Sequence, residues 1–373
     1  MSVLAVLFAA ALGLSSVALP LRALEAGYGA TAIGILVALS ALVQIVTRAR
    51  LGAVMRRISS RTLLLVAPLI LAVTFAVVLV VPTLVALGAA WVLLALGRAC
   101  FWTVGQTHAV RRARNSLRSI ARLNFYGSLG ALTGPVLGGV LAEWSVETAL
   151  AAGAGLSLAA VAPAFALDRF PPFARSKGKG NGAMWRRPGV DAACRSGLTA
   201  GAWRGLMDGY VPVILAGARN SSTLIGVLVA VANASSVLGN VIIGKLRQRW
   251  TVPVYVISML VTGLGLAVLG FVAGSVPFAA VALGLSGLGA GVLTTLGPNL
   301  AAVSVGEQEK GDAIATYGTA RTSAMFLAPL AVAGGITVAP LSVALLVVAS
   351  VLTLPAFAAG SLSRSAGPRT SRP

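Results

Sequence analysis

Four ionisable side chains stand inside otherwise apolar runs: Arg98 in LALGRACFWTVG, Arg204 and Asp208 in AGAWRGLMDGYV, and Arg321 in YGTARTSAMF. A charge in hydrocarbon is expensive and marks an ion or substrate path by default. Arg204 and Asp208 are four apart, so on a helix they share a face. They either close a plain intrahelical ion pair or point into a cavity where a substrate can replace one partner. Asp208 is the one acidic residue well inside an apolar run, which makes it the candidate proton carrier. Three arginines against one aspartate favour an anionic or zwitterionic small molecule. Each arginine has a second reading, in which its long stem carries the charge out to the nearer interface. At 1.5 Å per residue the three arginines lie about 10–15 Å from the nearer, basic ends of their runs, and Asp208 lies closer to the middle.

Other chemistries lack their residues. The chain has two cysteines, Cys100 and Cys194, and one histidine, His108. None has metal-like neighbours, so neither a metal site nor a disulfide framework is expected. No spaced carboxylate pair or nucleophile–base arrangement suggests an enzyme, and no cofactor is expected. No Walker-type loop points to ATP as a direct driver.

The elements that must position these charges follow from composition. Of 373 residues, 57% are hydrophobic and only 10% charged, with mean hydropathy +0.92. A soluble domain carries roughly 25% charged residues, so most of this surface faces lipid. Net charge +20 points away from nucleic acid, because the basic residues alternate with apolar runs along the chain. Runs long enough to cross a bilayer, about 20 residues each, are read at 3–23, 29–47, 62–81, 84–106, 120–142, 147–168, 196–217, 222–243, 252–273, 276–302, 313–336 and 339–360. The N-terminal run lacks the basic leader of a cleaved signal and is read as the first span. The stretch 169–195, rich in Lys, Arg, Gly and Pro, reads as a linker. It separates a first bundle, 1–168, from a second, 196–360, with a basic tail at 361–373. Of the 29 Lys and Arg, 24 fall in alternate loops and the tail, which places both termini in the cytoplasm.

The two halves repeat at an offset of 192. Pro20 falls on Pro212, TAIGILVAL (31–39) on TLIGVLVAV (223–231), and Gly52 on Gly244. Arg57 falls on Arg249, and Leu93, Gly97, Thr103 and Gly105 fall on Leu285, Gly289, Thr295 and Gly297. A parallel repeat predicts two similar bundles around an axis along the membrane normal, with a cavity between them that opens alternately to each side.

On these residues the chain resembles the major facilitator superfamily. GAVMRRISSRTLLL (52–65) resembles the family's loop between spans 2 and 3, with Gly52, Arg57 and Arg61 in place. Arg56 stands at the motif's acidic position and Ser59 at its second glycine. GKLRQRW (244–250) is the half-repeat copy, keeping Gly244 and Arg249. Arg98 fits the span-4 motif, with Trp102 where a glycine is usual. GSLGALTGPVLGG (127–139) resembles the span-5 motif of exporters and antiporters, carried by Gly130, Gly134, Pro135, Gly138 and Gly139. Glycines four apart give a smooth face for close helix approach, and the proline permits a bend. The face is expected at the seam between bundles, where a helix must pivot, or else as plain tight packing.

The resemblance implies an all-α membrane protein of twelve transmembrane helices in two pseudo-symmetric six-helix bundles. It implies a secondary active transporter, proton-coupled and exporting small organic molecules. The excess of Arg over Lys, with Ala, Val, Leu and Gly dominant, suggests a bacterial source and hence an inner membrane, and a monomer is expected. An importer or uniporter of metabolites, and a transport-inactive scaffold or receptor of the same fold, are the alternatives. Trp102, Asn124, Tyr126, Asn233 and Tyr317 join the four charged residues as candidates for the cavity, with Gln44, Gln106, Trp203, Asn240 and Asn299 behind them.

Overall fold

The computed structural model describes residues 1–55, 57–112, 116–168, 170, 184–243, 250–306 and 309–357. Among them there is no strand. The helices are α1 (Ser2–Glu25), α2 (Ala30–Met55), α3 (Ser60–Val80), α4 (Leu84–Arg112), α5 (Ser116–Trp144), α6 (Val146–Ala159) and α7 (Val161–Phe165). After a short 3-10 turn at Met184–Arg186 come α8 (Pro188–Gly217), α9 (Ser222–Ile243), α10 (Thr251–Val272), α11 (Val276–Val303), α12 (Lys310–Gly335), α13 (Leu341–Val351) and α14 (Leu354–Phe357). Among the described residues nine spans are long and apolar enough to cross a membrane, counting α6 and α7 as one. The other three are α8 and α12, which carry the intramembrane charges, and the shorter α13–α14. Together they make the twelve-helix architecture.

The halves repeat in space as they do in sequence. In the first half α1 packs on α5, α2 on α4, α3 on α4 and α3 on α6; in the second, α8 packs on α12, α9 on α11, α10 on α11 and α10 on α13. The two seams between halves repeat as well, α5 against α9 and α2 against α12. Small residues make these contacts possible. Gly97 lies against the backbone of α3 at the Ala67 carbonyl, and its repeat partner Gly289 against α10 at the Ser258 carbonyl. A methyl on Gly13 would come 2.7 Å from Pro135 Cδ, and one on Gly205, 192 residues later, 3.0 Å from Pro329 Cγ.

Turns repeat too. After α1, Gly27 takes the left-handed conformation (φ 84°) and the Tyr28 N–H donates to the Ala23 carbonyl. After α8, Arg219 does the same (φ 61°) and the Asn220 N–H donates to Leu215. Glycine holds that backbone without strain and arginine does not.

Several boundaries differ from the sequence reading. Spans 6 and 12, read as single helices, are each broken. α6 stops at Ala159, four residues before Pro163, and α13 stops at Val351, four before Pro355. A proline has no N–H for the carbonyl four residues back and its ring crowds that turn. The stretch read as linker up to 195 is helical from Pro188 onward, because proline suits the first helical turn and Asp191 there pairs with Arg195 at 2.5 Å. Residues 169 and 171–183 of that stretch, and the tail at 361–373, lie outside the described residues. α2 runs on to Met55, so Arg48 and Arg50, read as loop, are helical.

The turns at 26–29, 81–83, 145, 218–221, 273–275 and 336–340 share one face, here called distal. The opposite face, with Met1 and the turns at 57–59 and 304–306, is proximal. Two contacts within the halves tie the distal turns together: the Tyr28 hydroxyl accepts from the Leu84 N–H at 2.8 Å, and Asn220 Nδ2 donates to the Ala273 carbonyl at 2.9 Å.

Candidate functional site

Arg98 comes from α4 in the first half; Arg204 and Asp208 come from α8 in the second. Arg98 Nη1 donates to Asp208 Oδ2 at 2.6 Å. Arg204 Nη2 lies 2.7 Å from Oδ1, and its Nε donates to Oδ2 at 3.2 Å. The intrahelical pair expected from the spacing is therefore present, and a third charge from the other half completes it. All three side chains are largely shielded, at 12%, 24% and 14% exposure for Arg98, Arg204 and Asp208. The helix positions put Arg98 and Arg204 about 21 and 24 Å from the proximal ends of α4 and α8, deep in the bundle. Snorkelling is excluded for both, since their guanidiniums are spent on Asp208.

Asn233 extends the cluster. Arg204 Nη1 donates to its Oδ1 at 3.3 Å, and its Nδ2 donates to the Ala131 carbonyl of α5 at 3.5 Å. The second link crosses the seam. Beside Asp208 and Arg98 is a small cavity of about 20 Å³, lined by Ser15, Ser16, Ser40, Gln44, Trp91 and others. That is room for a single water. Gln44, buried at 2% exposure, belongs to this wall.

Arg321 stands on α12, half-buried, its Nε shielded and without a hydrogen-bond partner. Its charge and that of Arg98 act on Arg48 of α2, and it also acts on Arg204. Arg98, Arg204, Arg321 and Arg48 thus form one interacting set of guanidiniums, of which Arg98 and Arg204 pair with Asp208. Arg48 was missed because the run was ended at residue 47; its helical place beyond that point was the signal.

The aromatic and amide candidates divide. Trp102 fills the space at Gly127 between α4 and α5, edge-on to Phe101 at 5.4 Å. Tyr126 is half-buried beneath the Arg122 guanidinium, 5.8 Å from its ring centre, and Asn124 is exposed. Tyr317 is buried against Gly197 and Gly297, its hydroxyl without a partner. These four do not touch Asp208. Trp203 donates to Ser286 at 3.2 Å, and Asn240 accepts from Thr295 at 2.7 Å.

The span-5 glycines split between two neighbours. Gly130, Gly134 and Gly138 press on α1 at Val6, Ala10, Gly13 and Leu14, inside the first half. Gly139 alone faces the seam, against Ser222 and Gly226 of α9, while Gly226 in turn abuts the Pro135 carbonyl. Of the five residues expected at the seam, Pro135 and Gly139 meet α9, and the other three pack within the first half. Above them the Glu143 carboxylate accepts from the Thr223 N–H at 3.1 Å, on the first turn of α9. On the other seam Gly34 and Val37 of α2 meet Tyr210 and Gly209 of α8, and the Tyr210 hydroxyl donates to the Pro329 carbonyl at 3.2 Å. The distal part of both seams is closed. In the loop motif, Gly52 lies within α2, Arg57 is exposed, and Arg61 Nη2 donates to the Phe165 carbonyl at 2.6 Å. Gly244 and Arg249 lie outside the described residues.

The profile of the Major Facilitator Superfamily matches residues 1–329 and again 193–372. The second match begins 192 residues after the first, the repeat offset itself. No curated relative matches in sequence. Solved structures of the same fold include the nucleoside transporter NupG (TM-score 0.78, 15% identity, covering 97% of this chain and 98% of that one). They also include a bacterial homologue of the human lysosomal transporter Spinster, inward-facing and unoccupied (0.73, 14%, 97% and 95%). A third is a POT family transporter in complex with a thioalcohol-conjugated peptide (0.74, 12%, 98% and 96%). At such identities these likenesses concern the fold. The chain belongs to the Major Facilitator Superfamily.

Proposed function

We propose that this member of the superfamily is a proton-coupled exporter of small organic molecules, working as a monomer by alternating access in an inner membrane. Both termini, and with them the proximal face, are then cytoplasmic. The observation that carries the reading is the Arg98–Asp208 pair. It joins the two halves deep in the membrane, so any rocking of one half on the other must break or reshape it. Substrate recognition and movement then act on the same bond.

The coupling step follows from the donor set. Both Asp208 oxygens are occupied by guanidinium groups, so Asp208 takes up a proton only when Arg98 and Arg204 find another anion. An anionic or zwitterionic substrate supplies one. The export direction rests on the likeness of Gly130, Gly134, Pro135, Gly138 and Gly139 to the exporter and antiporter motif. Proteoliposomes with an imposed pH gradient test it: substrate efflux must move protons inward. Substrate flux without any proton movement favours the second reading, a uniporter or importer, for which a fully paired Asp208 needs no proton. Cysteine labelling in the cavity that never responds to substrate removes transport and leaves a scaffold.

A further inference from the structure

We infer that Arg48 and Arg321 form an anion-binding site, for a carboxylate or phosphate group, on the proximal side of the Arg98–Asp208–Arg204 cluster. This rests on the transporter reading and gives its substrate a chemical handle.

Arg48 is seven residues from the proximal end of α2, about 10 Å, and Arg321 eleven from that of α12, about 16 Å. α2 and α12 pack on each other across the second seam, so the two arginines come from opposite halves, as Arg98 and Asp208 do. Their charges act on each other, yet neither has a carboxylate partner among the described residues. Asp208 is already shared by two other guanidiniums. Arg321 is half-buried with its Nε shielded and unpartnered, whereas Arg48 is exposed.

Two like charges on packed helices that act on each other without a counter-ion are unfavourable, and an anion that reaches both removes the repulsion. Guanidinium suits the task, since its planar fork matches carboxylate and phosphate oxygens two at a time. The depth order Arg48, Arg321, Arg98 and Arg204 makes a graded positive path from the proximal face to Asp208. Such a path raises the local concentration of anions.

The test uses the purified full chain in neutral detergent. Its melting midpoint is followed against sodium phosphate and sodium succinate, with sodium chloride at matched ionic strength and with phosphatidylglycerol in a separate arm. A saturable rise with phosphate or succinate, absent with chloride, is expected. Arg321→Gln and Arg48→Gln should each weaken it at least tenfold, and Arg321→Lys should recover part. A saturable rise with phosphatidylglycerol alone, lost in the same variants, supports the site and identifies a headgroup phosphate as its anion. If Arg321→Gln does not fold, Arg48→Gln, at an exposed position, carries the test. The same midpoint shift in wild type and variants, or no shift with any anion, overturns the site. Vesicle flux separates the two readings: transport of a neutral or cationic substrate without anion binding removes this site and leaves transport, and anion binding without flux does the reverse.

Discussion

Arg98 and Asp208 are 110 residues apart in the chain and 2.6 Å apart in space, one in each half of the molecule. The bond puts an ion pair between the halves, beside seams otherwise made of small residues, Tyr210 and the hydrogen bonds of Glu143 and Asn233.

Asp208→Asn should therefore do more than remove a proton carrier. It leaves Arg98 and Arg204 without a counter-ion, and breaking a buried pair costs about 3–5 kcal/mol. Coupled transport should be lost and the melting midpoint should fall. Arg98→Gln should cost less, because Asp208 keeps Arg204. Melting curves of both variants check the order; unchanged coupled efflux in Asp208→Asn would remove that residue from the mechanism.

Leucine at Gly134 and leucine at Gly139 should fail differently. The first drives a side chain into α1 at the Ala10 carbonyl, within one half, and should reduce folded yield. The second meets α9 across the seam, and should leave the halves folded while forcing the distal seam apart. Folded yield and distal cysteine accessibility tell the two apart; normal turnover in both variants would show that close packing here is dispensable.

Glu143→Gln should loosen the same seam more gently. The carboxylate sits at the positive end of α9 through the Thr223 N–H, an interaction worth about 0.3–1 kcal/mol at an exposed site. The distal-open population should rise a few-fold, read as faster labelling of a cysteine placed at Ser222.

Arg219→Gly should stabilise the protein. Arg219 holds a left-handed backbone that its repeat partner Gly27 adopts without strain. Relief of about 0.5–1 kcal/mol is expected after the entropy lost by the freer unfolded chain. A higher melting midpoint checks it.

Much of the architecture could be read from the chain, because lipid leaves few ways to fold an apolar run and because the repeat gives every span a second witness. Pro20 and Pro212 lie in matching places in α1 and α8, and Gly97 and Gly289 each lie against the helix before their own, α3 and α10. What escaped is of two kinds. The breaks at Ala159 and Val351 depend on Pro163 and Pro355, themselves 192 apart, which lie in runs that remain apolar throughout; hydropathy does not register a missing N–H. The Arg98–Asp208 bond joins residues on different helices, where no spacing rule reaches, so only the local Arg204–Asp208 half of it was visible. Arg48 was lost to a boundary, since a charge near the end of a run looks the same in loop and helix.

The split ownership of the Asp208 cluster also bears on how the protein is made. As α8 enters the bilayer it brings its own neutralising partner, Arg204 four residues before the acid, which eases insertion. α4 enters much earlier with a bare guanidinium at Arg98 and must wait until more than a hundred further residues have been synthesised. The amino-terminal six helices are thus an unfinished electrostatic object during translation, and the arrival of the seventh span is the event that completes them.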